Sequence, residues 1–137
     1  MSWYRLLSLL GLIASTAVIV FAFRLHPDSR GYGTHEQLGL PPCGFLVDHG
    51  VPCISCGMTT AFAAMAHGMP ILALRSNPFG VLLFLGMLVA PIHCLHSLIM
   101  GLDPFWIFRT RRAMLILPLC GLLLLLNWGV MVLIARG

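Results

Sequence analysis

Three cysteines and one histidine lie close together between residues 41 and 60. Cys43, Cys53 and Cys56 have the spacing C-x9-C-x2-C, and His49 lies between the first two. Two cysteines three positions apart can both reach one metal ion across a turn, and tetrahedral Zn²⁺ prefers thiolate and imidazole ligands. One interpretation of these four residues is therefore a Cys3His zinc site.

The same cysteines suit two other kinds of chemistry. In an oxidising compartment, Cys43 would form a disulfide with Cys53 or Cys56, which closes a loop of about ten to fourteen residues and adds about 3 kcal/mol of stability in the loop-entropy model. Alternatively, Cys53 and Cys56 form a thiol-disulfide exchange centre, because a helix N-terminus lowers the pKa of a cysteine placed there. The residues by themselves leave the disulfide, the metal site and the exchange centre open.

A second candidate site lies further along the chain. His93 and His96 are three residues apart on a predicted transmembrane helix, so they lie on one side of it. Histidines inside a membrane can ligate haem or another pigment metal. The alternative is a structural role, in which the imidazoles form hydrogen bonds at the interface or with a carbonyl that Pro91 leaves free.

The composition predicts a single-domain integral membrane protein. Of the 137 residues, 59% are hydrophobic and 9% are charged, whereas soluble domains carry about 25% charged residues. The basic residues are eight arginines and no lysines, which are scattered or lie next to apolar segments. No basic face for nucleic acid is present.

Three apolar runs, residues 6–23, 79–100 and 114–135, predict transmembrane helices, because a bilayer core takes about 20 helical residues to cross. The fold class is therefore all-α. Glycines and prolines predict a cysteine-rich loop over residues 24–57. An apolar stripe predicts a short interfacial helix over residues 58–69.

Two asparagines have predicted structural roles. Asn77 fits the N-cap of the second span and Pro78 its first position. Asn127 lies within the third span, where an amide side chain is expected to join helices by hydrogen bonding.

Charge predicts the orientation in the membrane. Short loops with arginine clusters stay in the cytoplasm, which places the loop 101–113, with Trp106, Arg109, Arg111 and Arg112, inside and the cysteine loop outside. If residues 58–74 also crossed the bilayer, the chain would have four spans and the cysteines would be cytoplasmic. An outer location favours a disulfide, and an inner location favours zinc.

Part of the chain resembles a known family. The resemblance lies in Cys43-Gly44-Phe45, in Pro52-Cys53-Ile54-Ser55-Cys56-Gly57-Met58-Thr59-Thr60-Ala61-Phe62 and in Asn77-Pro78-Phe79. These residues resemble the DUF2752 family of small bacterial membrane proteins, whose function is not established. Thr60 stands where the family motif usually has arginine, and Ile54 where it often has proline, so a role of that arginine does not carry over.

These observations favour a non-enzymatic accessory or scaffold subunit of a larger membrane complex. Its partners would be the lipid bilayer and other membrane subunits, and its location the bacterial inner membrane. The sequence contains no carboxylate pair and no set of nucleophile, base and orienting group. The alternatives are a thiol oxidoreductase that uses Cys53 and Cys56, and a haem or pigment carrier that uses His93 or His96.

Overall fold

The computed structural model describes residues 3–105 and 113–136, and its regular structure there is entirely helical, as predicted. Six α-helices and one short 3-10 helix follow one another along the chain. They are α1 (Trp3–Arg24), the 3-10 helix (Thr34–Leu38), α2 (Gly44–His49), α3 (Met58–Ala66), α4 (Pro70–Ser76), α5 (Pro78–Met100) and α6 (Ala113–Arg136).

Three of these helices are long and apolar enough to cross a bilayer, namely Trp3–Arg24, Pro78–Met100 and Leu115–Ala135. α3 has nine residues and α4 has seven, so even α3 is only about 14 Å long. Because a bilayer core is about 30 Å thick, neither can cross it alone, and the alternative with four spans does not fit this fold. The predicted arginine cluster and Trp106 lie outside the described residues.

α1 and α5 pack against each other in an antiparallel arrangement. The helices approach closely at Gly11, where an added Cβ would lie 2.9 Å from Sγ of Cys94. Ser8 and Ser15 are buried on α1, and their hydroxyls donate to the carbonyls of Tyr4 and Gly11 in the preceding turn. Because these side chains are small and their hydroxyls bond within α1, the two long helices can pack closely against each other.

The segments between the long helices contain more regular structure than the sequence predicts. The 3-10 helix and α2 lie within 24–57, which the composition predicts to be a loop. After α3, Gly68 adopts a left-handed φ of 72°, and Pro70 starts α4 as a separate helix. Helices of five to seven residues escape detection because they contain too few turns to give an apolar periodicity.

α3 forms the centre of the small core that supports the cysteine segment. Ala61, Ala63 and Ala64 are fully buried, and Ala61 and Ala64 lie in one cluster with Ala73 of α4 and Val81 of α5. The alanines let the helices come close together. The start of α3 is thereby fixed against α5, and the cysteine segment leads directly into it.

Candidate metal centre

The side chains of Cys43, Cys53 and Cys56 converge, and their sulfur atoms all lie within 4.8 Å of one another. In a tetrahedral site with Zn–S bonds of about 2.3 Å, two coordinated sulfurs are about 3.8 Å apart. The sulfurs would therefore have to approach one another by at most about 1 Å to share one ion. Cys56 is buried, whereas Cys43 and Cys53 are half-buried.

Two local structures present these sulfurs. Cys43 is the residue directly before α2, with extended backbone angles. Cys53 and Cys56 are the ends of a tight turn, in which the N–H of Cys56 donates to the carbonyl of Cys53 at 3.0 Å. The turn brings both cysteines to the same side, and α2 brings Cys43 back to them across ten residues of sequence.

Gly57 sets the direction of the chain between the cysteine turn and α3. Its φ is 76°, in the left-handed region that side chains disfavour. A Cβ at this position would lie 2.8 Å from the carbonyl oxygen of Gly31 and closer still to that of Ser76. Only glycine fits both this conformation and this space, so the path from Cys56 into α3 depends on Gly57.

Asn77 connects the cysteine turn to the long helices. The side chain is completely buried, and its Nδ2 donates to the carbonyl of Cys56 at 3.0 Å. Its Oδ1 accepts the N–H of Gly80 at 2.9 Å, which confirms the predicted N-cap of α5. The same oxygen also accepts Nδ2 of Asn127 at 3.2 Å. Asn127 therefore joins α6 to α5, as predicted.

A second contact with α6 reaches the cysteine segment itself. Trp128 follows Asn127 on α6, and its indole Nε1–H donates to the carbonyl of Pro52 at 2.9 Å. Pro52 precedes Cys53 and is itself buried. The cysteine turn is thus held from two sides, by Asn77 after Cys56 and by Trp128 before Cys53.

The cysteines differ in their acidity. The backbone N–H of Leu46 holds the pKa of the Cys43 thiol below its ordinary value, although partial burial opposes this effect. Burial raises the pKa of Cys56 to about 11, and negative charge on Cys53 and Cys43 acts in the same direction. A Zn²⁺ ion would offset this repulsion, because its charge stabilises coordinated thiolates.

A cavity of about 220 Å³ opens beside Cys43 and Cys56. Arg30, Tyr32, His35 and Glu36 form its polar wall. Nη2 of Arg30 lies 3.3 Å from Glu36 and 2.7 Å from Asp28, and Arg30 lowers the pKa of Asp28. The cavity gives a small polar molecule access to the two sulfurs.

The structure does not bring His49 into this group. His49 is the exposed last residue of α2, and its ring packs edge-on against Phe45 with the ring centroids 4.7 Å apart. Six residues of helix separate it from Cys43, which places it about 9 Å along the helix axis and about 120° around it. Among the described residues, the group of potential ligands consists of the three cysteines.

His93 and His96 lie on α5, far along the chain from the cysteines. Nε2 of His93 donates to the carbonyl of Pro104 at 3.0 Å, which is the type of contact that the structural alternative predicts. His96 is exposed, and the next residue, Ser97, is buried. Neither histidine belongs to the ligand group around the cysteines.

The sequence did not indicate the buried pair of Thr34 and Thr60. Their hydroxyls lie 2.8 Å apart, and both residues are fully buried. The Thr34 hydroxyl also accepts the N–H of Asp28. This pair attaches the 3-10 helix to α3, and it gives a local role to Thr60, one of the two positions at which the sequence departs from the family motif.

Residues 43–90 match the family model described as "Protein of unknown function (DUF2752)". The predicted resemblance is therefore confirmed. The matched segment begins at Cys43 and includes the other two cysteines, Gly57 and Asn77, so it contains the whole sulfur group and the main residues that position it. No curated protein and no solved structure matches the chain.

Proposed function

We propose that this protein is a membrane-embedded accessory subunit whose extramembrane loop holds one structural zinc ion through Cys43, Cys53 and Cys56. The observation that carries the proposal is the convergence of three sulfurs within 4.8 Å. A disulfide would use only two of them and leave the third thiol beside it. A metal ion uses all three, and thiolate ligands select zinc among the common divalent ions.

The fourth coordination position would face the cavity beside Cys43 and Cys56. Water or a group from a partner protein can occupy it there, since His49 lies elsewhere. Bound metal would fix α2 against the turn at Cys53 and so give the loop one defined surface. A structural metal contributes its binding free energy to folding, which suits a loop with few buried apolar residues.

The role as a subunit is supported by the long helices. None of the residues of α6 between Leu115 and Ala135 is buried within the chain. Asn127 and Trp128, just past the middle of this helix, join it to the rest of the chain by hydrogen bonds. Neighbouring helices of a complex, together with lipid, would cover the remaining apolar surface.

Metal analysis of the detergent-purified protein, prepared under reducing conditions, tests the zinc site. We expect one zinc per chain, and Co²⁺ replacement should give the charge-transfer absorption of a thiolate-bound ion. Each of the single substitutions Cys43→Ser, Cys53→Ser and Cys56→Ser should abolish this absorption. Cys120→Ser is the matched control, because Cys120 is an exposed cysteine on α6, and it should bind metal like the wild type.

Two results of these experiments would contradict the zinc site or its assay. Absence of metal from the reduced protein, combined with a Cys43–Cys53 or Cys43–Cys56 disulfide in non-reduced peptides of protein purified without reductant, would refute the zinc site and favour the disulfide. Loss of metal from Cys120→Ser to the same extent as from Cys53→Ser would show that the assay reports folding and not coordination.

A further inference from the structure

A long apolar groove runs between α5 and α6, with α4 at one end. Its volume is about 800 Å³, which is within the range of about 300–1,000 Å³ that is typical of ligand sites. Phe79 and Leu82 of α5 form one wall and Leu123, Leu126 and Val130 of α6 form the other.

The groove lies against the first turn of α5. Its lining there consists of Pro78, Phe79 and Leu82, which cover about 6 Å of the helix at 1.5 Å per residue. On α6 the lining extends from Leu123 to Ile134, and Asn127 within this stretch bonds to Asn77 at the start of α5. The start of α5 is near the end of a span, where lipid headgroups are expected.

A cationic side chain stands at the α4 end of the groove. Arg75 is in the last turn of α4 and is exposed, and it lines the groove together with Ile71 and Leu74. Among the described residues, the salt bridges involve Arg30 and not Arg75. Asn127 is the other polar side chain in the wall. Its amide already donates to Asn77 and accepts the backbone N–H of Phe79.

These features favour a lipid over a protein helix as the occupant. A transmembrane helix about 10 Å wide and 30 Å long has a volume of about 2,400 Å³, three times that of the groove. An acyl chain is narrower and fits a groove of this volume. An anionic headgroup next to the chain would match the charge of Arg75.

We propose that this groove binds one anionic phospholipid, with an acyl chain between α5 and α6 and the phosphate facing Arg75. The site requires that the long helices cross a membrane, but it is independent of the zinc ion. Few side chains of this protein connect α5 to α6, and a bound lipid would fill the space between these two helices.

Native mass spectrometry of the full chain in detergent, with equal amounts of phosphatidylglycerol and phosphatidylcholine, tests the proposal. The wild type should retain phosphatidylglycerol about five-fold better, the effect expected of one arginine near a membrane surface. Arg75→Gln should bring the ratio close to one. Arg24→Gln, at the end of α1 and outside the groove, is the matched control and should keep the wild-type ratio.

A second variant tests the groove separately from the charge. Val130 is 54% exposed, so the larger side chain of Val130→Trp can enter the groove without entering the core. We expect this variant to reduce retention of both lipids. The proposal is wrong if Arg75→Gln keeps the five-fold preference, if Arg24→Gln loses it equally, or if Val130→Trp retains both lipids like the wild type.

Discussion

Asn77→Ala is expected to destabilise the protein more than any other single amide substitution between the long helices. The side chain is completely buried and forms three hydrogen bonds, with the carbonyl of Cys56, the N–H of Gly80 and the amide of Asn127. Alanine would remove all three at once. The cysteine turn, the start of α5 and α6 would then lose their common attachment.

The size of the effect follows from these three bonds. An unpaired buried carbonyl at Cys56 costs about 1–3 kcal/mol, and loss of the N-cap bond to Gly80 costs about 1 kcal/mol. The bond to Asn127 adds about 0.6 kcal/mol, the mean for hydrogen bonds between helices in a membrane. The free energy of unfolding should therefore fall by about 3–5 kcal/mol, the sum of these terms. Asn127→Ala, which leaves the first two bonds intact, should cost about 1 kcal/mol.

Reversible unfolding in detergent micelles, followed by circular dichroism, measures both values. The comparison should be made with and without a chelator, because bound metal adds its own stability. The double variant Asn77→Ala/Asn127→Ala should cost less than the sum of the single variants, since the two amides share one bond. The reasoning is refuted if Asn77→Ala costs no more than Asn127→Ala.

Three further predictions concern the candidate metal centre and its support. Gly57→Ala should abolish metal binding and lower the midpoint temperature of unfolding, because its Cβ would collide with two backbone carbonyls. Gly44→Ala is the matched control and should bind metal normally, because a Cβ at this position meets nothing within 4 Å. In metal-free protein near neutral pH, iodoacetamide should alkylate Cys43 well before Cys56. The thiolate is the nucleophile, and the pKa of Cys43 is lowered while that of Cys56 is raised to about 11. The reactivity of Cys56 should rise with pH up to about 11, and equal alkylation rates of the two cysteines in peptide mapping would contradict the assigned burial. Thr60→Val should reduce the free energy of unfolding by about 1 kcal/mol, through loss of one buried hydrogen bond to Thr34, and an unchanged midpoint of unfolding would show that this bond adds nothing.

The relative acidity of the cysteines also bears on the thiol-exchange alternative. An attacking cysteine needs an accessible thiolate, and the buried Cys56 has a raised pKa. Cys43, which the C-x-x-C motif does not include, has the lowered one. A test of exchange activity should therefore include Cys43→Ser as well as Cys53→Ser and Cys56→Ser. Exchange activity that depends on Cys53 and Cys56, and not on Cys43, would support an exchange centre formed by these two cysteines.

The sequence by itself determined the features that depend on neighbouring residues. Long apolar runs predicted the three long helices, because length and hydrophobicity are local properties. Asn77 followed by Pro78 predicted where α5 begins, because a cap and the first helical residue are adjacent in the chain. The spacing of Cys53 and Cys56 predicted that both can reach one ion, since the tight turn between them closes within four residues.

Only the tertiary structure decided which distant residues meet. Sequence spacing included His49 among the ligands as the weakest member of the set, and α2 carries it about 9 Å along the helix axis and about 120° around it from Cys43. Asn77 was identified as a cap, yet its second role, the bond to Cys56 twenty-one residues earlier, depends on how α3 packs on α5. The same packing places Gly57 against the carbonyls of Gly31 and Ser76. These contacts join segments far apart in the chain, and a local pattern of residues does not show which distant segments will meet.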